Sequence, residues 1–118
     1  MIEVRKSDLT NPLYDDDDIK RACGMLNDVL GWFDSGAYAP GVRNNMAVDL
    51  GCLCHVLGLD ATTIVDSYLT PTNKADLVRR LNVIDDYMPY WDRNRDGVFD
   101  MMVMQWDENA LPDYVVLV

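Results

Sequence analysis

NNMAVDLGCLCHVL, residues 44–57, is the stretch of this sequence that decides the fold. Its apolar residues occupy nearly the whole circumference of a helix and leave no clear polar face. A helix of this kind lies in the centre of a bundle, because every side of it needs an apolar neighbour. The sequence therefore predicts a domain whose core is a helix over about Asn44 to Leu57.

Cysteine and histidine in this stretch suggest a metal site, but the helical spacing argues against one. Cys52 and Cys54 lie about 200° apart around a helix, so their thiolates cannot reach the same zinc ion. A zinc site would need a non-helical segment with Cys23 nearby, whereas such cysteines usually serve as small buried apolar side chains. His55 has no nucleophile or carboxylate at a recognisable spacing, so the sequence predicts no catalytic triad.

Three further helices are predicted around the central one. The first begins at Asp15–Asp18, whose carboxylates satisfy the free N–H groups of a helix start, and its apolar residues continue at helical spacing to Phe33. Asp60 is expected to cap a short third helix. The fourth is expected to begin at Asn73, after the helix-breaking residues 70–72, and to carry apolar residues on one face.

The C-terminal part of the chain predicts a β-hairpin. Two apolar runs, 101–106 and 113–118, flank a polar turn over 107–112, and the second run is rich in β-branched residues. The first run also suits a helix, because methionine is a good helix former, but two strands are the prediction. Residues 1–4 predict one further short strand.

The whole sequence predicts a single α+β domain over 1–118. Its 118 residues, 49% of them hydrophobic, are enough for a core and argue against general disorder. Four helices are expected within 1–91, followed over 92–118 by a loop and a small antiparallel hairpin or meander. No apolar run has the length of a membrane span, so no membrane association is expected.

The segment WDRNRDGVFD, residues 91–100, has the residue spacing of a calcium loop. In the pattern D-x-[DN]-x-[DN]-G, alternate oxygen side chains turn towards the ion and glycine permits the sharp bend. The predicted Ca²⁺ ligands are the side chains of Asp92, Asn94, Asp96 and Asp100 and the carbonyl of Val98. Three converging carboxylates repel one another without a cation. The alternative is an ion-free turn closed by side-chain-to-backbone hydrogen bonds.

This spacing resembles two kinds of calcium loop. It is similar to the first half of an EF-hand or dockerin loop, but Val103 stands where an EF-hand places its bidentate Glu. It is more similar to the D-x-N-x-D-G-x-x-D loops of FG-GAP and integrin-type propeller repeats, in which the last Asp, here Asp100, binds the ion directly. The resemblance covers residues 92–100 in a single copy. It implies a weak Ca²⁺ site and no particular fold.

Acidic residues dominate the charge of the chain, which is −10 at pH 7, with eighteen Asp and two Glu. Residues 15–40 carry −4 (six acids, two bases) and residues 84–118 carry −6 (eight acids, two bases). This balance excludes nucleic-acid binding through a basic face and favours a protein partner with a basic surface. We expect the two acidic groups to lie apart, because the first caps a helix and the second surrounds a loop.

The residues expected to contact a partner come from the first helix. The acidic candidates are Asp15, Asp16, Asp17 and Asp18, and the apolar candidates are Met25 and Trp32. These two apolar residues belong, with Val29, to a second stripe beside the main apolar face of the helix. The favoured alternative is that this stripe is further core, because large apolar side chains are more often buried than displayed.

The chain contains no nucleophile paired with a base and no phosphate-binding glycine loop, so a non-enzymatic role is expected. The leading hypothesis is an acidic interaction subunit of a larger assembly, such as a viral accessory or virion-assembly protein. Several helices after an Asp-rich cap are similar in outline to phage head–tail adaptor proteins. One alternative is a DNA mimic that inhibits a restriction, CRISPR or repair enzyme. Another is a metal-dependent enzyme acting at the 92–100 segment.

The location expected from the sequence is intracellular, in the cytoplasm of a host or in a virion, and not secreted. Three cysteines are an odd number, which fits reduced thiols better than a disulfide framework. The residues at the start of the chain also lack the apolar core of a secretory signal.

Overall fold

The structure, a computed structural model, describes residues 1–9, 11–104 and 113–118, without the side chains of 95–97. Its regular elements are β1 (Ile2–Val4), α1 (Asp16–Asp34), α2 (Arg43–Leu57), α3 (Ala61–Ile64), α4 (Pro71–Asp85), α5 (Met88–Arg93) and β2 (Val115–Leu117). Turns of 3₁₀ helix cover Lys6–Asp8, Val65–Ser67 and Arg95–Met101. The described chain is thus mainly helical with one pair of short strands, which confirms the α+β class in outline.

Helix α2 is the centre of the fold, as its apolar sequence predicts. Its fully buried side chains include Met46, Ala47, Leu50, Leu53 and Val56. Helices α1 and α4 both pack against it. Gly51 permits the close approach of α4, because a Cβ at this position would lie 3.2 Å from Cδ2 of Leu81.

Helix α1 begins where the sequence predicts. The Asp15 carboxylate accepts the N–H of Asp18 at 2.9 Å, and the Asp18 carboxylate accepts the N–H of Asp15 at 3.3 Å. This reciprocal pair is a capping box, which satisfies two N–H groups that the helix itself cannot. The chain leaves the helix at Ser35, and Gly36 then adopts a φ of 78°, a left-handed conformation that glycine takes without strain.

Helix α3 is capped by Asp60, as predicted, but α4 begins earlier than predicted. Its first residue is Pro71, and the hydroxyl of Thr70 accepts the N–H of Asn73 at 3.2 Å. Proline suits the first position of a helix, because the N–H that it lacks would have no partner there. Residues 70–72 therefore start the fourth helix, and Asn73 lies inside its first turn.

The strands differ from the predicted antiparallel hairpin. Strand β2 pairs with β1 in parallel, with Ile2 opposite Val115 and Val4 opposite Leu117. The prediction of a strand over 101–106 is wrong for its described part, since a 3₁₀ turn ends at Met101 and residues 102–104 form no strand. Residues 105–112, which include the predicted turn, lie outside the described residues.

Two buried polar side chains explain this difference. Asp49 on α2 is fully buried, and its carboxylate accepts the N–H groups of Val103 at 2.8 Å and Met104 at 3.0 Å. These N–H groups are then unavailable to a neighbouring strand. Asn27 on α1 likewise accepts the N–H groups of Tyr114 and Val115, which holds β2 beside α1.

One finding bears on membranes. Among the described residues, no single helix combines the length and the apolar composition of a membrane span. Helix α2 and the helical segment Ala61–Ser67 have this length and composition only when they are taken together, and the chain bends by 115° between them.

Candidate functional site

The four acidic residues at the start of α1, called here the helix start (Asp15–Asp18), differ in their roles. Asp15 and Asp18 form the capping box, so their carboxylates stabilise the helix. Asp16 and Asp17 are exposed, and Asp16 lies 3.0 Å from Nζ of Lys6. Exposed ion pairs of this kind contribute little stability. Asp16 and Asp17 are therefore available to a partner.

The segment 92–100 packs beside the helix start. Nδ2 of Asn11 donates to Oδ1 of Asp92 at 3.3 Å, and the guanidinium of Arg21 lies 4.6 Å from the ring centre of Phe99. Arg21 follows the helix start by one helical turn, about 5 Å along the axis. This part of the second acidic group therefore lies nearer to the helix start than the sequence led us to expect. The helix start and the 92–100 segment are together called here the acidic end.

The predicted calcium ligands lie in helical backbone. Asp92 belongs to α5, and 3₁₀ turns continue over Arg95–Met101. Nδ2 of Asn94 donates to the carbonyl of Tyr90 at 2.8 Å. Of the other ligands, Val98 is fully buried, Asp100 is exposed and the side chain of Asp96 lies outside the described residues. No three metal-binding side chains come together within the described ranges, and calcium binding stays a prediction.

His55 has a carboxylate partner that the sequence did not reveal. Its Nε2 lies 2.7 Å from Oδ1 of Asp92, the same oxygen that accepts from Asn11. One carboxylate thus connects the segment before α1, the last turn of α2 and α5. The two residues are 37 positions apart, so no local spacing could have indicated the pair.

A cavity of about 400 Å³ opens beside this pair, lined by Asn11, Cys54, His55, Gly58, Leu59 and Asp92. A His–Asp pair can act as a general base, but nucleophilic catalysis also needs an activated nucleophile. The only thiol of the lining, that of Cys54, is 2% exposed, and burial raises its pKa. A thiol in this state forms little thiolate. We therefore interpret the pair as a structural link between helices.

All three cysteines are buried free thiols. Burial raises the pKa of Cys23 to about 11 and that of Cys52 to about 12. Cys52 and Cys54 lie within α2, as predicted, and helical backbone directs them to different sides.

The basic residues in the middle of the chain form ion pairs with acidic residues of the same part of the chain. All four basic residues between positions 41 and 83 form ion pairs within that range: Arg43, Arg79 and Arg80 with Asp76, and Lys74 with Asp66. The carboxylate of Asp76 accepts from Nε of Arg80 at 2.9 Å and from the hydroxyl of Tyr38 at 2.8 Å. These hydrogen bonds, that from Arg80 first, hold the pKa of Asp76 well below its usual range.

The apolar stripe on α1 is mostly buried. Met25 is 6% exposed and Val29 is fully buried, which agrees with the interpretation of the stripe as core. Trp32 is 38% exposed. It is the member of the stripe that a partner can reach.

Comparison of the chain with protein-family models, with curated proteins and with solved structures gives no match. The function is therefore inferred from the residues and contacts described above.

Proposed function

We propose that this protein is a non-enzymatic interaction subunit that binds a basic partner surface through its acidic end. The observation that carries the proposal is a pair of contacts that hold the 92–100 segment against residues on either side of the helix start: Asn11 with Asp92, and Arg21 with Phe99. These contacts hold the 92–100 segment, with its exposed Asp100, near the end of α1 that carries the exposed Asp16 and Asp17. Neighbouring carboxylates strengthen the local negative potential, which attracts and orients a cationic surface.

The charge of the remaining chain supports this proposal. Residues 41–83 are neutral in sum, and their basic side chains are already paired with Asp66 and Asp76. The net charge of −10 is therefore carried by residues 15–40 and 84–118, to which the helix start contributes −4 and the 92–100 segment −1 (three acids, two bases). A partner within a larger assembly, such as a complex that builds a virion, suits the similarity in outline to phage head–tail adaptor proteins.

A DNA-mimic inhibitor is the second candidate, favoured by the same juxtaposition. A mimic must present carboxylates from different parts of its chain on one face, because its target is built for a regularly charged backbone. The helix start and the 92–100 segment lie close enough to begin such a face. Binding by a mimic is expected to weaken steeply with salt, whereas a protein interface that also buries apolar surface is expected to weaken less.

The proposal is tested by calorimetric titration with a lysine-rich peptide at low and moderate salt. The variant Asp16→Asn/Asp17→Asn removes two charges from the acidic end and leaves the capping box of Asp15 and Asp18 intact. We expect roughly tenfold weaker binding at low salt, or about 0.7 kcal/mol for each charge removed.

The matched control removes the same charge elsewhere. Asp34→Asn/Asp66→Asn alters two exposed acids, and Asp34 lies at the other end of α1, about 27 Å from Asp16. The control is expected to bind within about twofold of the unmodified protein, since the effect of Asp34 is screened over that distance and Asp66 is already paired with Lys74. Equal weakening in both variants would mean that the peptide senses net charge alone and that no localised site exists.

The second candidate needs a separate measurement. Inhibition of a panel of DNA-processing enzymes would be assayed at two salt concentrations with the same pair of variants. Inhibition that is relieved by salt and by Asp16→Asn/Asp17→Asn, but not by the control, would favour a mimic over a protein-assembly role.

A further inference from the structure

The sheet formed by β1 and β2 has one edge that no other described residue pairs with. The N–H of Ile2 donates to the carbonyl of Tyr114 at 2.8 Å, and the carbonyl of Val4 accepts from Val118 at 2.9 Å. In an extended strand, the N–H and C=O groups of successive residues point to opposite sides. Ile2 and Val4 therefore face β2, and the N–H and C=O groups of Glu3 point away from it.

The outer edge of β2 is different, because α1 lies against it. The carboxamide oxygen of Asn27 accepts the N–H of Val115 at 3.2 Å. That N–H belongs to the side of β2 away from β1. Within residues 1–9, 11–104 and 113–118, the sheet contains only these two strands, so no described strand pairs with β1 on its outer side.

The backbone and the side chains of β1 both suit pairing at this edge. Arg5, the residue after the strand, keeps an extended conformation with φ −100° and ψ 129°, which continues the edge by one residue. The side chains of Glu3 and Arg5 are 55% and 61% exposed, whereas Val4 is 2% exposed and faces the core. An exposed strand edge of this kind is a template for a further strand.

The charges of this edge identify the strand that fits it. Two copies of β1 that pair antiparallel about Val4 place Glu3 of each copy opposite Arg5 of the other, so both cross-strand pairs are of opposite charge. Pairing centred on Glu3 or on Arg5 would place like charges opposite each other, which is unfavourable. Residues 1–14 are also neutral in sum, so this edge lies in a part of the chain without net charge.

We propose that β1 pairs with β1 of a second copy of this chain, antiparallel and centred on Val4, to give a four-stranded sheet. The strand order is β2, β1, β1 of the second copy, β2 of the second copy. Glu3 and Arg5 of opposite copies exchange backbone hydrogen bonds in this register. The carbonyl of Arg5 already accepts from Asp8 at 2.9 Å and would use its second lone pair.

The small size of this interface limits the strength of the association. A strand of three residues, extended by Arg5, buries far less than the roughly 1,200 Å² of total surface that a stable complex needs, so the dimer is weak and depends on concentration. The dimer also stabilises the sheet of each copy, because an isolated two-stranded sheet is only marginally stable.

Sedimentation analysis of charge-reversal variants tests the proposal. The protein concentration runs from about 10 µM to about 1 mM, because an interface of this size is expected to dissociate in that range. In a dimer of either Glu3→Arg or Arg5→Glu, positions 3 and 5 of opposite copies carry the same charge, so both cross-strand pairs repel. We expect either variant alone to associate roughly tenfold more weakly or worse. An equimolar mixture of the two variants has opposite charges in both pairs again, and is expected to form a heterodimer at the concentrations where the unmodified protein dimerises.

A second pair of variants tests the backbone contact. Glu3→Pro removes an N–H that points away from β2, so it is expected to keep the fold and abolish the dimer. Glu3→Ala keeps that N–H and is the matched control; it is expected to retain part of the association. Circular dichroism verifies that both variants are folded. The proposal is overturned if the unmodified protein stays monomeric throughout, if the mixed variants fail to associate, or if Glu3→Pro dimerises as the unmodified protein does.

Discussion

The side chain of Asn27 is expected to hold the C-terminal strand in place. It is 8% exposed, and its oxygen accepts the N–H groups of both Tyr114 and Val115. Replacement by leucine keeps a similar volume in α1 but removes the acceptor. Two backbone N–H groups then lose their partner at once, without a large cavity being formed.

The expected cost follows from the burial of those two groups. The hydrogen bond to Val115 is buried, and the one to Tyr114 is partly buried. An unsatisfied buried N–H costs about 1–3 kcal/mol, and a partly hydrated one costs less, so Asn27→Leu should lose about 2–4 kcal/mol. A domain of this size has a total stability of about 5–15 kcal/mol, so the variant is expected to remain folded.

Urea unfolding and amide hydrogen exchange together measure this effect. The unfolding midpoint is expected to fall, and the amides of Tyr114 and Val115 are expected to exchange faster while amides of α2 change less. Asn82→Leu on α4 is the control, because Asn82 is exposed and its replacement should change stability by less than about 0.5 kcal/mol. If Asn27→Leu unfolds like the control, or if the two amides exchange as before, Asn27 does not anchor the strand.

Two further predictions concern charge. The hydrogen bond from Arg80 lowers the pKa of Asp76, so Asp76 contributes stability that is fully present above about pH 4, its unfolded pKa, and is lost as pH falls towards the folded pKa. Asp76→Asn should therefore be less stable than the unmodified protein at pH 7, and the gap should close in urea titrations below pH 4; a gap independent of pH would contradict this. Calorimetry with calcium is expected to show weak binding, roughly millimolar to high micromolar, that Asp96→Ala abolishes. Flat titrations for both proteins would leave the ion-free turn.

Local sequence signals were enough to predict most of the helical fold. The apolar circumference of α2 and the caps at Asp15 and Asp60 each depend on residues within one or two turns, and the structure has all three. The predicted start of α4 is three residues from the observed N-cap, because Thr70 and Asn73 are both good capping residues. The choice depends on Pro71, which fits the first helical position and also ends a preceding helix.

The strand pairing and the His55–Asp92 contact could not be predicted, because both depend on residues far apart in the chain. An apolar run such as 113–118 predicts a strand but not its partner. Local signals favour the nearest apolar run, 101–106, as its partner, whereas the structure pairs this strand with the first residues of the chain. The same assumption, that distance along the chain implies distance in space, underlies the expectation that the helix start and the 92–100 segment lie apart.

Three polar side chains hold the chain segments whose positions the apolar pattern does not predict. Asn27 accepts two N–H groups at β2, Asp49 accepts two after the 3₁₀ turn, and Asp92 interacts with both Asn11 and His55. Asn27 and Asp49 also interrupt the otherwise apolar faces of α1 and α2. A polar residue at a core position is costly unless donors reach it, so such an interruption predicts that backbone from elsewhere packs there. The sequence pattern thus indicates that backbone from another part of the chain packs against α1 and α2, but it does not identify that backbone. In the structure it is the backbone of residues 103–104 and 114–115.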